Sequence, residues 1–485
     1  MIYICDAIMG SGKTSAAINY LKAHRADKTI YVTPFLDEVD RILTQCHGIA
    51  LHTPSAATAK RECGEYAKRK DFERLVRQGK SVVTTHSLFR ELAPEITDVI
   101  KEQGYTLIVD ENLEEIQMSG DSEGETDTVN GFTISDIAVF VRAGDLIETI
   151  DYSSESVEIA TYRRSEAAKD LTADGKFSEF YKQVEARVLK AYIFKSDGKR
   201  TGASFYWMVR PELFTVFNDV IVMTYRFEGQ GLYNIFRIFD LKYQYISINK
   251  TQRGFFFDFS GGVGKYIPSY TKHIHDMIHI IDDEALNEIG AEENALSVSW
   301  FIREDANAAS GKGDKIKKLK NNIGNCFRNK WPGSSGGLGS LVGKQINEKR
   351  LWSTYKMFQD RLAGAGYSKN FLAFNSKATN DYRNAEYLVY AVNLYYFLPV
   401  KFMYNALGIE INDELYALST MIQWIWRSAI RDGKPVYLYL PSSRMRRILI
   451  NWMNEISGGG EENRCLSVGT ANGMIPISVT RDMAV

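Results

Sequence analysis

Glycine, lysine and hydroxyl residues follow the first apolar run of the chain in the spacing of a phosphate-binding loop. The segment reads Ala7-Ile8-Met9-Gly10-Ser11-Gly12-Lys13-Thr14, and it departs from the usual pattern only in having Ala7 where a glycine normally stands. Glycines let backbone N–H groups close around phosphates, and the following helix directs its positive end at the same anion. In such a loop the lysine reaches the terminal phosphates and the hydroxyl binds Mg²⁺. The pattern therefore predicts a nucleoside triphosphate and Mg²⁺ site, with these candidate residues: Ala7, Met9, Gly10, Ser11, Gly12, Lys13 and Thr14.

An acidic pair supplies the second half of this candidate site. Asp110 and Glu111 come directly after the apolar run Tyr105–Val109, which reads as a buried strand. A strand that ends beside a phosphate loop can present an aspartate to the metal, usually through water. The next carboxylate can polarise the attacking water as a general base. We therefore expect Asp110 to bind the metal together with Thr14, and Glu111 to be catalytic.

Hydroxyl residues also end two other predicted strands. Thr33-Pro34 follows one apolar run, and Thr84-Thr85-His86 follows another. At the carboxyl edge of a parallel sheet, hydroxyls and free backbone N–H groups suit contacts to the sugar-phosphate backbone of a nucleic acid. Ordinary capping of strand ends by threonine is the competing interpretation.

Three polar residues near the end of the chain are spaced for one helical face. Gln423, Arg427 and Arg431 stand at i, i+4 and i+8 in a segment that also holds two tryptophans. Arginines on a second domain can reach across a cleft and stabilise the charge that develops on a γ-phosphate. A helix with a solvated basic face is the alternative.

The elements that must position these residues are those of an α/β protein. Short buried strands are predicted at 2–5, 29–33, 81–85, 105–109 and 219–225, with a helix over 14–24. A second unit has candidate strands at 245–249, 296–302, 370–374 and 436–440. We expect two parallel-sheet domains in tandem, over 1–230 and 231–456, followed by a tail over 457–485. The first domain would carry an insertion at about 118–207, where no alternating units are visible.

In this order the motifs resemble those of superfamily 2 helicases, in the style of bacteriophage-encoded members. The resemblance implies two RecA-like domains, ATP hydrolysed between them and single-stranded nucleic acid crossing both. It also assigns Thr379, in Phe374-Asn-Ser-Lys-Ala-Thr379, to the nucleic-acid contacts. The acidic motif reads Asp-Glu-Asn-Leu, and the late arginines are four residues apart where the family usually has three. Which of Arg427 and Arg431 is the arginine finger therefore stays open.

Composition limits how the chain could meet nucleic acid. The 485 residues carry a formal charge of −1, so no global positive field draws the protein to a polyanion. The 312–350 segment is the exception, with ten basic and two acidic residues and hence a net charge of +8. We expect Phe327 and Trp331 in it to stack on bases, although a flexible solvated loop explains the charge equally well.

Cysteine usage and apolar runs bear on the location of the protein. The five cysteines include no Cys-x-x-Cys pair, which favours a reducing cytosol. The 387–400 run, which is the longest strongly apolar one, is too short to span a membrane and is expected in a core. No signal peptide is expected at the start. The predicted location is cytoplasmic, in the host if the protein is phage-encoded.

The pattern as a whole predicts an ATP-dependent helicase or translocase acting on DNA in phage replication or recombination. Single-stranded DNA is the favoured partner, RNA is left open, and other replication proteins are further candidate partners. Three alternatives remain: an ATP-controlled binding or loader protein that does not unwind, a terminase-type packaging ATPase, and a small-molecule kinase.

Overall fold

A computed structural model describes residues 1–55, 64–111, 113, 116–118, 128–168, 176–260, 266–331, 348–376, 381–458, 467–470 and 473–476. The first part of the chain alternates strands with helices. The strands are β1 (Ile2–Asp6), β2 (Thr29–Thr33), β3 (Leu51–His52), β4 (Ser81–Thr85) and β5 (Thr106–Asp110). The helices are α1 (Lys13–Ala23), α2 (Leu36–Gln45), α3 (Gly64–Arg77), α4 (His86–Arg90) and α5 (Pro94–Gln103). The predicted strands over 2–109 and the predicted first helix are confirmed to within a residue.

An antiparallel sheet is inserted after β5. It comprises β6 (Ile116–Met118), α6 (Ile134–Ala143), β7 (Leu146–Ser153), β8 (Val157–Arg164), α7 (Lys176–Ala186), β9 (Val188–Ser196) and β10 (Lys199–Met208), in the strand order β6-β10-β9-β8-β7. One face buries an aromatic core against α6 and α7, with Phe132, Phe180 and Trp207 among its side chains. The other face contributes Ile159 and Met208 to the core of the first parallel sheet.

The chain then returns to the first sheet through α8 (Glu212–Thr215), β11 (Asp219–Thr224), α9 (Gly231–Ile238) and β12 (Tyr243–Tyr245). Seven parallel strands result, in the order β12-β1-β11-β5-β2-β4-β3. Side chains alternate between two cores, as in β2, where Ile30 and Val32 face one core and Tyr31 faces the other. Burial on both faces explains why these strands read as continuous apolar runs.

One predicted strand of the second unit belongs elsewhere. The 245–249 segment divides between β12, which pairs with β1 in the first sheet, and β13 (Ser247–Thr251). The latter forms a two-stranded antiparallel hairpin with β14 (Gly254–Asp258). The first sheet therefore extends past residue 230, because β12 forms its edge strand. Only the pairing of β12 with β1 shows that this segment belongs to the first sheet.

The second parallel sheet is built from the rest of the chain. Its helices and strands are α10 (Ile274–Met277), β15 (Ile278–Ile280), α11 (Glu284–Asn287), α12 (Val298–Ala309), α13 (Lys315–Asn325), β16 (Arg350–Ser353), α14 (Gln359–Leu362), β17 (Tyr387–Tyr390), α15 (Leu398–Ala406), α16 (Asp413–Ile425), β18 (Val436–Tyr439) and α17 (Ser443–Ser457). The strand order is β15-β18-β17-β16, and every pair is parallel. The chain is thus a mixed α/β protein with two parallel sheets, as predicted. A last hairpin joins β19 (Ser467–Thr470) to β20 (Gly473–Pro476).

Two further strand predictions are wrong and one is confirmed. The 296–302 segment enters α12, which the side chain of Ser297 caps by accepting a hydrogen bond from the Trp300 amide. The 370–374 segment makes only a single bridge, between Phe371 and Trp352. The strand predicted at 436–440 is β18. The apolar 387–400 run contains β17, whose residues Leu388 and Val389 are fully buried.

The two parallel sheets meet through contacts that follow β11. The Trp452 indole donates a hydrogen bond of 2.8 Å to the Tyr225 hydroxyl, and Arg226 forms an ion pair of 2.7 Å with Glu455. Gly229 lies so close to α16 that a Cβ there would stand 2.5 Å from the Leu415 carbonyl oxygen. Within the described residues, no helix combines the length and the apolar character needed to cross a bilayer.

Candidate functional site

The candidate phosphate loop connects β1 to α1 in the conformation its glycines permit. Gly10 and Gly12 have φ values of +75° and +87°, in the left-handed region that favours glycine. Gly12 immediately precedes the first residue of α1. A Cβ on Gly12 would stand 2.3 Å from the ring of Phe255, so two separate constraints require glycine there.

The lysine of the loop is turned back onto the loop itself. Lys13 Nζ donates hydrogen bonds to the carbonyl oxygen of Ala7 and, at 3.2 Å, to that of Ile8. Burial lowers the pKa of this ammonium, although Cys5 and Asp110 act in the opposite direction. The buried Ser11 hydroxyl has no hydrogen-bond partner among the described residues. A left-handed turn, a buried cation and an orphaned hydroxyl fit a phosphate group, which would accept hydrogen bonds from the last two.

The Asp110 carboxylate lies directly beside the start of α1. Thr14 Oγ1 donates to Asp110 Oδ2 at 3.3 Å, and the Tyr31 hydroxyl donates to the same oxygen at 2.8 Å. His86 Nε2 lies 2.8 Å from the backbone oxygen of Asp110. Burial raises the pKa of Asp110 to about 6, and Glu111 adds to the shift. Thr14 Oγ1 and Asp110 Oδ2 thus lie together, and both are oxygen atoms of the kind that Mg²⁺ takes as ligands.

Glu111 has a strained backbone and a partner from the second parallel sheet. Its φ is +64°, rare for a residue with a side chain, and its amide donates to the Met223 carbonyl at 2.9 Å. Its carboxylate lies 3.2 Å from Arg427 Nη2. Burial raises the pKa of Glu111, but Arg427, with smaller contributions from His86 and Lys13, outweighs it, so the pKa lies below its ordinary value. Strain of this kind tends to collect at functional positions.

The two late arginines reach the cleft, but not from one helical face. Helix α16 ends at Ile425, after Gln423 and before both arginines. The predicted shared face of Gln423, Arg427 and Arg431 is therefore wrong. Ser428 is extended (ψ −169°), and the next amide, of Ala429, donates to the Ala385 carbonyl beside the second sheet. This tertiary hydrogen bond draws the chain away from the helical path.

The arginines and the loop line a single cleft of about 600 Å³ between the two sheets. Its floor is formed by the loop, Asp110 and Glu111, and its cationic side by Arg41, Arg427 and Arg431. Burial, followed by the nearby charge of Arg427, lowers the pKa of Arg431. Gln423 is half-buried and lies outside this lining. Such a volume is within the range of small-molecule sites, roughly 300–1,000 Å³.

The threonine loops do lie at the carboxyl edge of the first sheet, but most of their side chains are covered. The side chains of Thr33, Thr84 and His86 are buried, and His86 faces Asp110. Thr85 and Pro34 are half-buried and reach the surface. A cavity of about 180 Å³ opens here, lined by Thr53, Pro54, Lys68, Thr84, Thr85 and Ser87 among others. Thr379 lies outside the described residues.

The described part of the basic segment differs from the expected loop. It contains α13, and several of its lysines have carboxylate partners. The pairs are Lys315 with Glu304, Lys318 with Glu288, Lys330 with Asp283 and Lys349 with Glu386. Phe327 and Trp331, expected to stack on bases, are 3% and 4% exposed and stack on other aromatic rings instead. That prediction is wrong, because the rings complete the core of the second sheet.

Sequence reasoning missed several residues of the cleft. Tyr31 lies in a strand that reads as ordinary core. The aromatic side of the cleft is formed by Phe255, Tyr266, Tyr270 and Trp426. Most aromatic residues of the chain are buried in its cores, so nothing in composition distinguishes these four. The Gly-Phe-Phe-Phe run that starts at Gly254 was the one available signal of an unusual element.

Comparisons with known proteins identify relatives over nearly the whole chain. A family model described as the YonV C-terminal Rossmann-like domain matches residues 272–453. The "SPbeta prophage-derived uncharacterized protein YonV" of Bacillus subtilis (strain 168) is 30% identical over 455 residues, which cover 93% of this chain and 98% of that protein. Two solved structures, "XPD_Helicase" and "Structure of S. tokodaii Xpd4", each align over 93% of this chain and 94% of theirs, with a TM-score of 0.41 and 10% and 13% identity. Likenesses at this TM-score say nothing about activity.

Proposed function

We propose that this chain, which belongs to the family of the SPbeta prophage-derived protein YonV, is an ATP hydrolase that moves along nucleic acid as a helicase or translocase. The observation that carries the proposal is the cleft between the two sheets. It gathers the candidate phosphate loop, an acidic pair and two arginines from distant parts of the chain. A contact of 3.2 Å between Glu111 and Arg427 joins the two sides. This combination suits phosphoryl transfer to water coupled to movement of one sheet against the other.

The residues of the cleft divide the chemical work between them. Residues 10–14 would hold the triphosphate, and Thr14 and Asp110 would hold Mg²⁺, which neutralises phosphate charge when bound. Lys13 would exchange the loop carbonyls for phosphate oxygens. Glu111 would orient water and accept its proton, while Arg427 and Arg431 would stabilise negative charge on the terminal phosphate.

The nucleic acid would pass over the carboxyl edge of the first sheet. Pro34 and Thr85 reach the surface there, beside the cavity that Lys68 lines. Backbone amides and hydroxyls at such an edge suit phosphate contacts that ignore base sequence. Single-stranded DNA is the proposed substrate. The prophage origin of the relative agrees with a role in phage replication or recombination, beside other replication proteins in the host cytoplasm.

A second candidate function is an ATP-controlled binding or loader protein that does not unwind. The ion pairs of the basic segment favour it, because lysines such as Lys318 and Lys330 already have acidic partners within the protein. A loader protein needs fewer contacts to nucleic acid than a translocase does. Strand displacement on tailed duplexes separates the two, since only the motor releases a strand while it hydrolyses ATP.

The decisive experiment measures ATP hydrolysis with single-stranded DNA, duplex DNA and RNA in parallel. We expect stimulation by single-stranded DNA, and Lys13→Ala should reduce turnover to background because the phosphates lose their cation. Lys22→Ala, an exposed position on the same helix, serves as the control. Hydrolysis that persists in the Lys13 variant, or a wild-type protein that binds no nucleotide, would refute the proposal.

A further inference from the structure

The cleft has an aromatic side that none of the proposed phosphate chemistry uses. Phe255 belongs to β14, Tyr266 and Tyr270 follow the hairpin, and Trp426 follows α16. The rings of Phe255 and Tyr266 are half-buried, whereas the large aromatic side chains of the cores are fully buried. Both rings pack on one side against a core of the first sheet and also line the cleft beside the candidate phosphate loop.

The hairpin holds Phe255 in a fixed position relative to the phosphate loop. The ring lies against Gly12, where it occupies the space a Cβ would need. The Phe255 carbonyl accepts a hydrogen bond of 2.9 Å from Asn19 Nδ2 on α1. Two residues further along the strand, Phe257 packs edge-on against Tyr20 of the same helix, with centroids 6.0 Å apart. The hairpin is therefore attached to the helix that starts at the loop.

Tyr266 extends this surface. Its ring meets that of Phe255 edge to face, with centroids 5.3 Å apart, and Lys250 Nζ lies 4.8 Å from its centroid. The Tyr266 amide donates a 2.7 Å hydrogen bond to the Ile248 carbonyl, so the ring is tied to the hairpin. The Tyr270 hydroxyl, which also belongs to the cleft lining, donates to the Met9 carbonyl at 2.6 Å. Apolar rings thus flank the loop that would hold the phosphates.

We propose that the β13–β14 hairpin and the adjacent Tyr266 form the nucleobase subsite of the cleft, in which the rings of Phe255 and Tyr266 make the aromatic contacts to the base of the bound nucleotide. The inference rests on the proposed function and names the part of the ligand that this side of the cleft recognises. A nucleotide is a polyanion joined to a flat aromatic base, and in this cleft the candidate phosphate loop and a cationic side adjoin an aromatic side. Stacking accepts every base because each has a π-face, so this subsite adds affinity and little choice between bases.

The test compares ATP with inorganic triphosphate, which carries the phosphates and lacks the base. Binding of each, with Mg²⁺, is measured by titration calorimetry on the full chain. Phe255→Leu and Tyr266→Leu each keep apolar bulk and remove the aromatic face, and should weaken ATP binding about tenfold, the effect of losing one stacked ring. Triphosphate binding should stay within about twofold, since no stacked group is lost. Phe257→Leu is the matched control, because it changes the same face of the same strand outside the cleft lining.

Each outcome decides the matter. A selective loss for ATP in both cleft variants, absent in the control, supports the subsite. Equal losses for both ligands would mean that the rings only support the loop, and unchanged ATP binding would mean that they do not meet the base. Either result overturns the subsite and leaves the ATPase proposal standing. A wild-type chain that binds neither ligand would overturn both.

Discussion

Glu111 and Arg427 form an ion pair across the cleft, and this ion pair limits the basicity of the carboxylate and occupies the guanidinium. A carboxylate bound to a guanidinium is a weaker base, because the neighbouring charge lowers its pKa. As a general base in the proposed function, Glu111 would accept a proton from water more readily once the arginine had turned to another anion. In the proposed function that anion is the terminal phosphate, so arrival of the nucleotide would release the base.

Removal of one arginine should show which of the two is the finger. Arg427 contacts Glu111 directly, and Arg431 lines the cleft beside it. We expect Arg427→Ala to slow single-turnover ATP hydrolysis by about 10³-fold or more, because transition-state charge loses its partner, while ATP binding changes little. Arg253→Ala, at an exposed hairpin position outside the cleft lining, is the control. A large loss in Arg431→Ala with normal hydrolysis in Arg427→Ala would reverse the assignment.

The raised pKa of Asp110, about 6, predicts a pH-dependent cost to the metal-free fold. In the unfolded chain an aspartate titrates near 3.9, so the folded protein binds this proton more tightly. The contribution of Asp110 to stability therefore falls as the pH rises from about 4 to about 6, and stays low above that window. In EDTA at pH 7.5, Asp110→Asn should raise the free energy of unfolding by up to roughly 2–3 kcal/mol and raise the melting temperature accordingly. At pH 4 the substitution should have little effect. It should also abolish Mg²⁺-dependent hydrolysis.

Melting curves at both pH values, with and without EDTA, check this prediction. An unchanged or lower melting temperature for the metal-free variant at pH 7.5 would show that the buried carboxylate is not a cost to the fold. Asp219→Asn is a suitable control, because that carboxylate is half-buried at the amino end of β11 and pairs with the amino group of Met1, away from Asp110.

At the scale of single elements, the turn that starts α1 combines two demands on one glycine. Gly12→Ala must adopt φ +87° and also displace the ring of Phe255, whereas Gly48→Ala faces a similar φ of +91° with no atom within 4 Å. The Gly48 variant should lose only about 1–2 kcal/mol of stability, the cost of a left-handed backbone in a residue with a side chain. The Gly12 variant should lose more stability than the Gly48 variant and should bind ATP weakly. Chemical denaturation and calorimetry measure both effects, and equal losses in the two variants would contradict the close contact with Phe255.

Sequence predicted those elements whose cause is local. The turn between β1 and α1 lies within a few residues, and the buried strands around it are continuous apolar runs, so these elements were predicted correctly. Phosphate binding by residues 7–14 stays a prediction. The face shared by Gln423, Arg427 and Arg431 failed, because helix α16 ends where a hydrogen bond from Ala429 to Ala385 takes over. Tyr245 was assigned to the second sheet because its partner, β1, lies far away in sequence. The contact of Phe255 with Gly12 depends in the same way on distant residues.

At the scale of the whole molecule, the contact between the sheets should decide whether they unfold together. Gly229 lies against the backbone of α16, and a methyl group there would stand 2.5 Å from the Leu415 carbonyl oxygen. Gly229→Ala should therefore push the two sheets apart and split or broaden the thermal transition. Scanning calorimetry on the full chain shows this directly. Gly202→Ala in the inserted sheet, where the nearest atom is 3.9 Å away, should leave the transition sharp. A single sharp transition in both variants would mean that the contact is dispensable.

The inserted antiparallel sheet has a further consequence for the molecule as a whole. Ile159 and Met208 project from it into the same core as Ile4 and Val109 of the seven-stranded sheet. An inserted sheet that made no contact with the first core could be deleted to obtain a minimal catalytic fragment. Deletion of the inserted antiparallel sheet would expose a hydrophobic face of the first core and make the remaining protein insoluble. A truncated variant must therefore keep this sheet.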